Sequence, residues 1–209
     1  SGLTLPGSPG IIIGSNGKVA WGFTNSMIDF QDLVRVTLAP GNPMSYVVPG
    51  GGAEPFGMRT EVIRVRGGRP VELMIRTTRW GAVTGEARGG RPLVMRWTAL
   101  DADKVNLALV DLMEADDLDE AIAILRGWYG PSQNAVVVDD QGRIGWIVTG
   151  YLPSRVGFDG SVPVPWAEDG VGWDGPLDEA LRPTLVDPES GFLYTANNRT
   201  VAVHRSMPF

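Results

Sequence analysis

Tight-turn residues set between short β-rich runs recur along this chain, and they constrain its fold more than any other feature. Residues 11–13 and 19–23 flank Ser15-Asn16-Gly17, where Asn-Gly supplies the positive φ that a type I′ turn requires. Residues 61–66 and 71–77 flank Gly67-Gly68, and the alternation of Val62, Ile63 and Val65 with Val71, Leu73 and Ile75 predicts a hairpin with one solvated face. Residues 135–138 and 144–149 flank Asp139-Asp140-Gln141-Gly142 in the same way. A fourth turn, Asp187-Pro188-Glu189-Ser190-Gly191, leads into a strand predicted over 192–196. The 28 glycines and 16 prolines among 209 residues are too many for a helical bundle and too irregularly placed for collagen.

Helical periodicity occurs in one stretch, from about 102 to 129. Val105, Leu107, Leu109, Leu112 and Met113, then Leu118, Ala121, Ile122 and Leu125, recur at three- and four-residue spacing. Two helices broken at Glu114-Ala115-Asp116 are expected. Asp117 with Glu120 forms a capping box for the second, and Gly127 and Gly130 bracket its end. Segments 40–57 and 153–176, rich in Gly, Pro and Asp, are expected to be long surface loops. The chain therefore divides into a β-rich part (1–99), a helical pair (100–130) and a second β-rich part (131–209). That order predicts an α+β fold with a largely antiparallel β-sheet and a helical pair.

A net charge of −6 is the wrong sign for gathering nucleic-acid phosphates. The absence of cysteine excludes disulfides, thiolate metal sites and a thiol nucleophile, and the single histidine, His204, excludes a multi-histidine metal site. No window approaches the roughly 18 apolar residues of a membrane-spanning helix, so neither a membrane nor nucleic acid is an expected partner.

Three polar clusters stand where bland strands and loops would not need them: Trp21 through Asp32, Gln133-Asn134 with Thr149 through Arg155, and Thr195-Ala196-Asn197-Asn198-Arg199. In this order, together with Leu5-Pro6-Gly7, Arg96-Trp97-Thr98-Ala99, Pro131-Ser132, Gly142 through Trp146 and Gly191 through Tyr194, they resemble the β chain of the penicillin amidase family of N-terminal-nucleophile hydrolases. The resemblance runs over nearly the whole chain. It implies membership of a four-layer αββα sandwich, and cleavage of N-acyl amides by a serine exposed through autoproteolysis, whose own α-amine acts as base. The family's Ser-Asn-x-Trp-like opening is not found here, and Ser1 is followed by Gly2-Leu3-Thr4-Leu5-Pro6, which resembles a later strand. The nucleophile is thus expected upstream, in a parent that also supplies an α chain and the remainder of the β chain, and the 209 residues alone are expected to be inactive.

By resemblance, the backbone N–H of Asn25 and the side-chain amide of Asn197 are the oxyanion donors. Trp21, Phe23, Asn134, Arg155 and Arg199 are the candidate substrate-binding residues. Asp29, Gln31 and Asp32 correspond to family calcium ligands, with a carbonyl near Gly160 as a further donor; no organic cofactor is implied. Trp80-Gly81-Ala82 departs from the family's usual His-Gly-Pro, and His204 is expected to be a tail residue without catalytic duty. Export to the periplasm or the medium is implied. Penicillins, related β-lactam amides and N-acyl homoserine lactones all fit as substrates. A non-catalytic β-rich module that binds calcium or carbohydrate, or an inactive homologue, are the alternatives that the residues leave open.

Overall fold

In the computed structural model, residues 1–200 are described. Eleven strands come first: β1 (Gly2–Leu3), β2 (Ile13–Ser15), β3 (Val19–Asn25), β4 (Gln31–Arg35), β5 (Leu38–Ala39), β6 (Asn42–Val47), β7 (Ala53–Pro55), β8 (Gly57–Ile63), β9 (Val71–Thr78), β10 (Gly81–Ala87) and β11 (Arg91–Trp97). A helical region follows, with short 3-10 turns at Ala102–Lys104 and Ala108–Met113 and one α-helix, α1 (Leu118–Gly127). Then come β12 (Gln133–Asp139), β13 (Ile144–Val148), β14 (Pro153–Val156), β15 (Gly172–Pro176) and β16 (Thr184–Val186).

One sheet has the order β1-β2-β3-β12-β13-β16 and another the order β4-β11-β10-β9-β8, all their pairs being antiparallel. The first is half-covered by the helical region. Val19, Trp21, Ala135, Val137 and Ile147 from the sheet pack against Leu109, Leu112, Leu118, Ala121, Ile122, Leu125 and Trp128. The second core gathers Val34, Val36, Tyr46, Val48, Phe56, Val94 and Trp166 around the smaller strands. Leu125 is fully buried, so Leu125→Ala should cost about 2–5 kcal/mol in a urea titration, from lost burial and an unfilled cavity.

The expected elements form with instructive differences. The helical pair breaks at 114–116 as expected, but its first member is made of 3-10 turns. Asn16 explains part of this, because its amide donates to the carbonyls of Leu112 (3.3 Å), Met113 (3.3 Å) and Ala115 (2.8 Å), taking up carbonyls at that segment's end. The Asn-Gly turn is not type I′: Gly17 has φ +99°, whereas Asn16 keeps a negative φ. Its Oδ1 instead accepts from the N–H groups of Lys18 and Val19, both at 2.9 Å, an Asx-type closure. At α1, Asp117 accepts from Glu120 N–H at 2.9 Å, and the Glu120 carboxylate accepts from Asp116 N–H at 2.8 Å.

Four expectations are corrected. Segment 40–57 is not a loop, since β6 and β7 pair there around Tyr46, and β14 and β15 close the ends of 153–176. The β8–β9 hairpin exposes apolar side chains broadly (Met58, Val62, Ile63, Leu73, Met74) rather than on one solvated face. Residues 192–196 form no strand. Both ladders of β3 are already taken by β2 and β12, and this segment runs beside it, lining a shallow pocket with Ile13, Gly22 and Val136 and joined to β3 by the Thr195 and Thr24 hydroxyls, 3.0 Å apart. His204 lies outside the described residues.

Candidate active site

The site begins with register. In the antiparallel pairing of β3 with β12, Asn25 stands opposite Gln133, Thr24 opposite Asn134 and Phe23 opposite Ala135. Alternation along β3 then puts Phe23 and Asn25 on one face and Trp21 two residues further back. At the end of β3 the ladder stops, and the Asn25 N–H donates to Asn197 Oδ1 at 2.9 Å. Next to it the Thr24 and Thr195 hydroxyls lie 3.0 Å apart. Two hydrogen bonds thus bring residues more than 170 positions apart in sequence to one strand end.

Asn134 fixes that end from below. It is fully buried, and its Nδ2 donates to the Asn25 carbonyl and to Thr24 Oγ1, both at 3.3 Å. Its Oδ1 accepts from Trp146 Nε1 (3.1 Å) and the Thr200 hydroxyl (2.8 Å), leaving neither side of the amide unpaired. Beyond Asn25, Met27 has φ +54°, and its N–H donates to Asn25 Oδ1 at 3.2 Å. The buried Ser26 hydroxyl donates to the Ser132 carbonyl at 3.0 Å, so the turn is tied to the start of β12 on both sides.

A cavity of about 540 Å³ opens beside Phe23 and Gln133. Its walls are mostly apolar: Leu5, Ile12, Leu107, Leu109, Val110 and Trp128 among others. The polar groups of Asn106 on that wall are already committed, its Nδ2 to the Gly127 carbonyl at 2.8 Å and its Oδ1 to the N–H of Tyr129 at 3.0 Å. Such a cavity accepts a hydrocarbon group and offers it little else. Phe23 is therefore placed on the cavity wall. Trp21 is buried in the core with its indole N–H on the Ile11 carbonyl (3.0 Å), and Asn134 sits behind the strand end.

Arg155 goes elsewhere. Its side chain is 2% exposed; its Nε lies 2.9 Å from Asp32 Oδ2 and its Nη2 3.2 Å from Asp29 Oδ2, also reaching the Asp29 carbonyl at 3.3 Å. Trp173 Nε1 donates to the same Asp32 oxygen at 2.6 Å. Burial pushes the Asp29 carboxyl up from its ordinary range, against the lowering effects of Arg155 and, more weakly, Arg199. Calcium takes about six to eight oxygens. Here a guanidinium lies against both carboxylates, and no group of three or more His, Asp or Glu suited to a metal occurs among the described residues. Within the described residues, Arg155 supplies the charge that compensates Asp29 and Asp32. Gly160 crowds the same clamp, because a Cβ there would stand 2.9 Å from Arg155 Nε.

The family model for penicillin amidase matches residues 1–208. The chain belongs to the penicillin amidase family. Acyl-homoserine lactone acylase QuiP of Pseudomonas aeruginosa is 33% identical to this chain over 214 residues, covering 96% of the chain and 25% of that protein. Penicillin acylase 2 proenzyme of Pseudomonas sp. strain SE83 is 33% identical over 204 residues, covering 96% and 26%. Among solved structures, a thermostable penicillin G acylase from Alcaligenes faecalis superposes with a TM-score of 0.77 at 22% identity, over 96% of this chain and 38% of that one. The chain thus has the fold of that enzyme's matching portion, the N-terminal-nucleophile hydrolase fold, and spans about a quarter of the length of the relatives it matches.

Several groups of the candidate site carry no motif of their own. Trp128 and Tyr129 line the cavity beside Gln133, and only their place at the end of α1 could have drawn attention to them. Gly150 is another: at φ +90°, an added Cβ would meet Ser132 Cα at 2.8 Å and the Gly130 carbonyl at 2.9 Å. The Gln133 carbonyl accepts from the N–H of Thr149, the preceding residue, at 2.8 Å.

Proposed function

We propose that this chain carries the oxyanion donors and the acyl pocket of an amidohydrolase that removes apolar acyl groups from N-acyl compounds, acyl-homoserine lactones foremost. The observation that carries the reading is the meeting of Asn25 N–H with the Asn197 side-chain amide at a strand end beside a mainly apolar cavity. The names of the relatives, acyl-homoserine lactone acylase and penicillin acylase, support the same chemistry.

In this reading the parent protein supplies a serine at a processed chain start. Its α-amine, with a pKa of about 7.7–8.0, takes the hydroxyl proton as the oxygen attacks the acyl carbon. Negative charge moves onto the former carbonyl oxygen. Two donors aimed at that oxygen stabilise it: the Asn25 N–H and, once the side chain of Asn197 turns its Nδ2 inward, the amide of Asn197. Asn197 Oδ1 holds the place of the oxyanion until substrate arrives. The C–N bond then breaks, the amine leaves with the proton, and water repeats the sequence on the acyl-serine. Phe23 and Gln133 bound the mouth of the cavity that receives the acyl chain.

The test is product analysis on the processed parent enzyme given N-decanoyl homoserine lactone. Free decanoate and homoserine lactone with an intact ring are expected. Ring opening with the amide untouched would overturn the reading.

A further inference from the structure

The partners of the Asn134 side chain decide which end of its amide is which. Asn134 is fully buried, opposite Thr24 on β3 and Val148 on β13. Trp146 Nε1 can only donate, so the atom it faces at 3.1 Å is the amide oxygen. The Asn25 carbonyl can only accept, so the atom 3.3 Å from it is the amide nitrogen. Thr24 Oγ1 takes the other N–H and the Thr200 hydroxyl the other lone pair, so the amide has no spare capacity and no alternative orientation.

This one amide reaches the segment that carries Asn197 from both sides. Thr24 Oγ1, which accepts from Asn134 Nδ2, donates in turn to Thr195 Oγ1 at 3.0 Å, two residues before Asn197. Asn134 Oδ1 accepts from the Thr200 hydroxyl at 2.8 Å, three residues after it. Residues 195–200 belong to no helix or strand, so no ladder fixes Asn197 in place. The same Nδ2 also grips the carbonyl of Asn25, the residue whose N–H faces Asn197.

We infer that Asn134 is the positioning residue of the oxyanion site, a single buried amide that sets the Asn25 N–H and the Asn197 side chain relative to each other. This rests on reading those two groups as the oxyanion donors. Asn134 works from behind the strand end, without touching substrate. A fully satisfied buried network is rigid, and oxyanion donors are effective when they are aimed before the charge develops.

The experiment is steady-state kinetics of the processed enzyme on N-decanoyl homoserine lactone, with Asn134→Asp and Thr200→Val each made alone and in the Asn197→Ala background. Asn134→Asp keeps the side chain's shape but sets an oxygen against the Asn25 carbonyl. Its kcat should fall about 10²-fold, the order of loss that a misplacement of about 1 Å can cause, with KM within about 2-fold of the parent. Thr200 is exposed, and Thr200→Val removes one hydrogen bond, so kcat should fall about 3- to 10-fold. In the Asn197→Ala background the Thr200→Val loss should vanish, because the hydroxyl acts through Asn197. The Asn134→Asp loss should persist there in part, through Asn25. Losses that are the same in both backgrounds, or that appear in KM and urea stability but not in kcat, are those of a merely structural residue and would overturn the inference. If Asn134→Asp does not mature, the Thr200→Val comparison decides alone. If Asn197→Ala itself leaves kcat unchanged, the oxyanion reading falls and takes this inference with it.

Discussion

Replacing Asn197 with alanine in the processed enzyme that carries this chain should lower kcat about 10²- to 10³-fold, the loss typical of removing one oxyanion donor. KM should change little, because the donor works on charge that develops in the transition state and only weakly on the ground-state carbonyl. The fold should barely notice. Asn197 is exposed and makes one hydrogen bond to the body of the protein, to Asn25 N–H at 2.9 Å, so the unfolding free energy should fall by no more than about 1 kcal/mol. Steady-state kinetics beside a urea titration separates the two effects. Equal losses in both would make Asn197 a structural residue.

The second large effect is expected at Arg155. Its side chain and that of Asp32 are each 2% exposed and meet at 2.9 Å, so Arg155→Leu leaves a buried carboxylate without its compensating charge. Breaking such a pair from one side costs about 3–5 kcal/mol. Urea unfolding of the chain should show a loss of that size. The double variant Arg155→Leu, Asp32→Asn should recover much of it, because the fully buried charge is then gone and only the partly exposed Asp29 carboxylate is left without its partner. A small loss in the single variant would mean that water, or a cation from solution, reaches Asp32 readily. The position of the clamp has a functional consequence. It ties Asp29 and Asp32, just after the Asn25 turn, to β14 and, through Trp173, to β15, so loosening it should also displace the Asn25 N–H.

Legibility in the sequence followed the range of the forces involved. Hairpins closed by local turn chemistry were readable, as at 139–142, where Asp139 Oδ1 accepts from Gln141 and Arg143 N–H at 3.0 and 2.9 Å. So was the cap of α1, three residues from its partner. Segment 40–57 was misread because its Gly and Pro content hid a short β run at Ser45-Tyr46-Val47-Val48 that is fixed by distant partners, with Tyr46 in the second core. The strand expected at 192–196 had β-forming residues, but both ladders of β3, the strand it runs beside, were already paired, a fact of topology that composition does not carry. The Asn25–Asn197 pair could be matched only through the family's motifs, since nothing local in Asn-Asn-Arg announces a contact across 172 residues. Asp29 and Asp32 show the reverse. Their spacing is local, but only the fold brings Arg155, more than 120 positions away, against them.

The most direct test of the oxyanion assignment is a crystal structure of the processed enzyme with an alkyl boronic acid, whose tetrahedral serine adduct mimics the transition state. One boronate oxygen should lie about 2.7–3.1 Å from both Asn25 N and Asn197 Nδ2, with the Asn197 amide turned from its present hydrogen bond and the alkyl group in the cavity beside Phe23 and Gln133. An adduct whose oxygen points away, with Asn197 Oδ1 still holding the Asn25 N–H, would contradict the account.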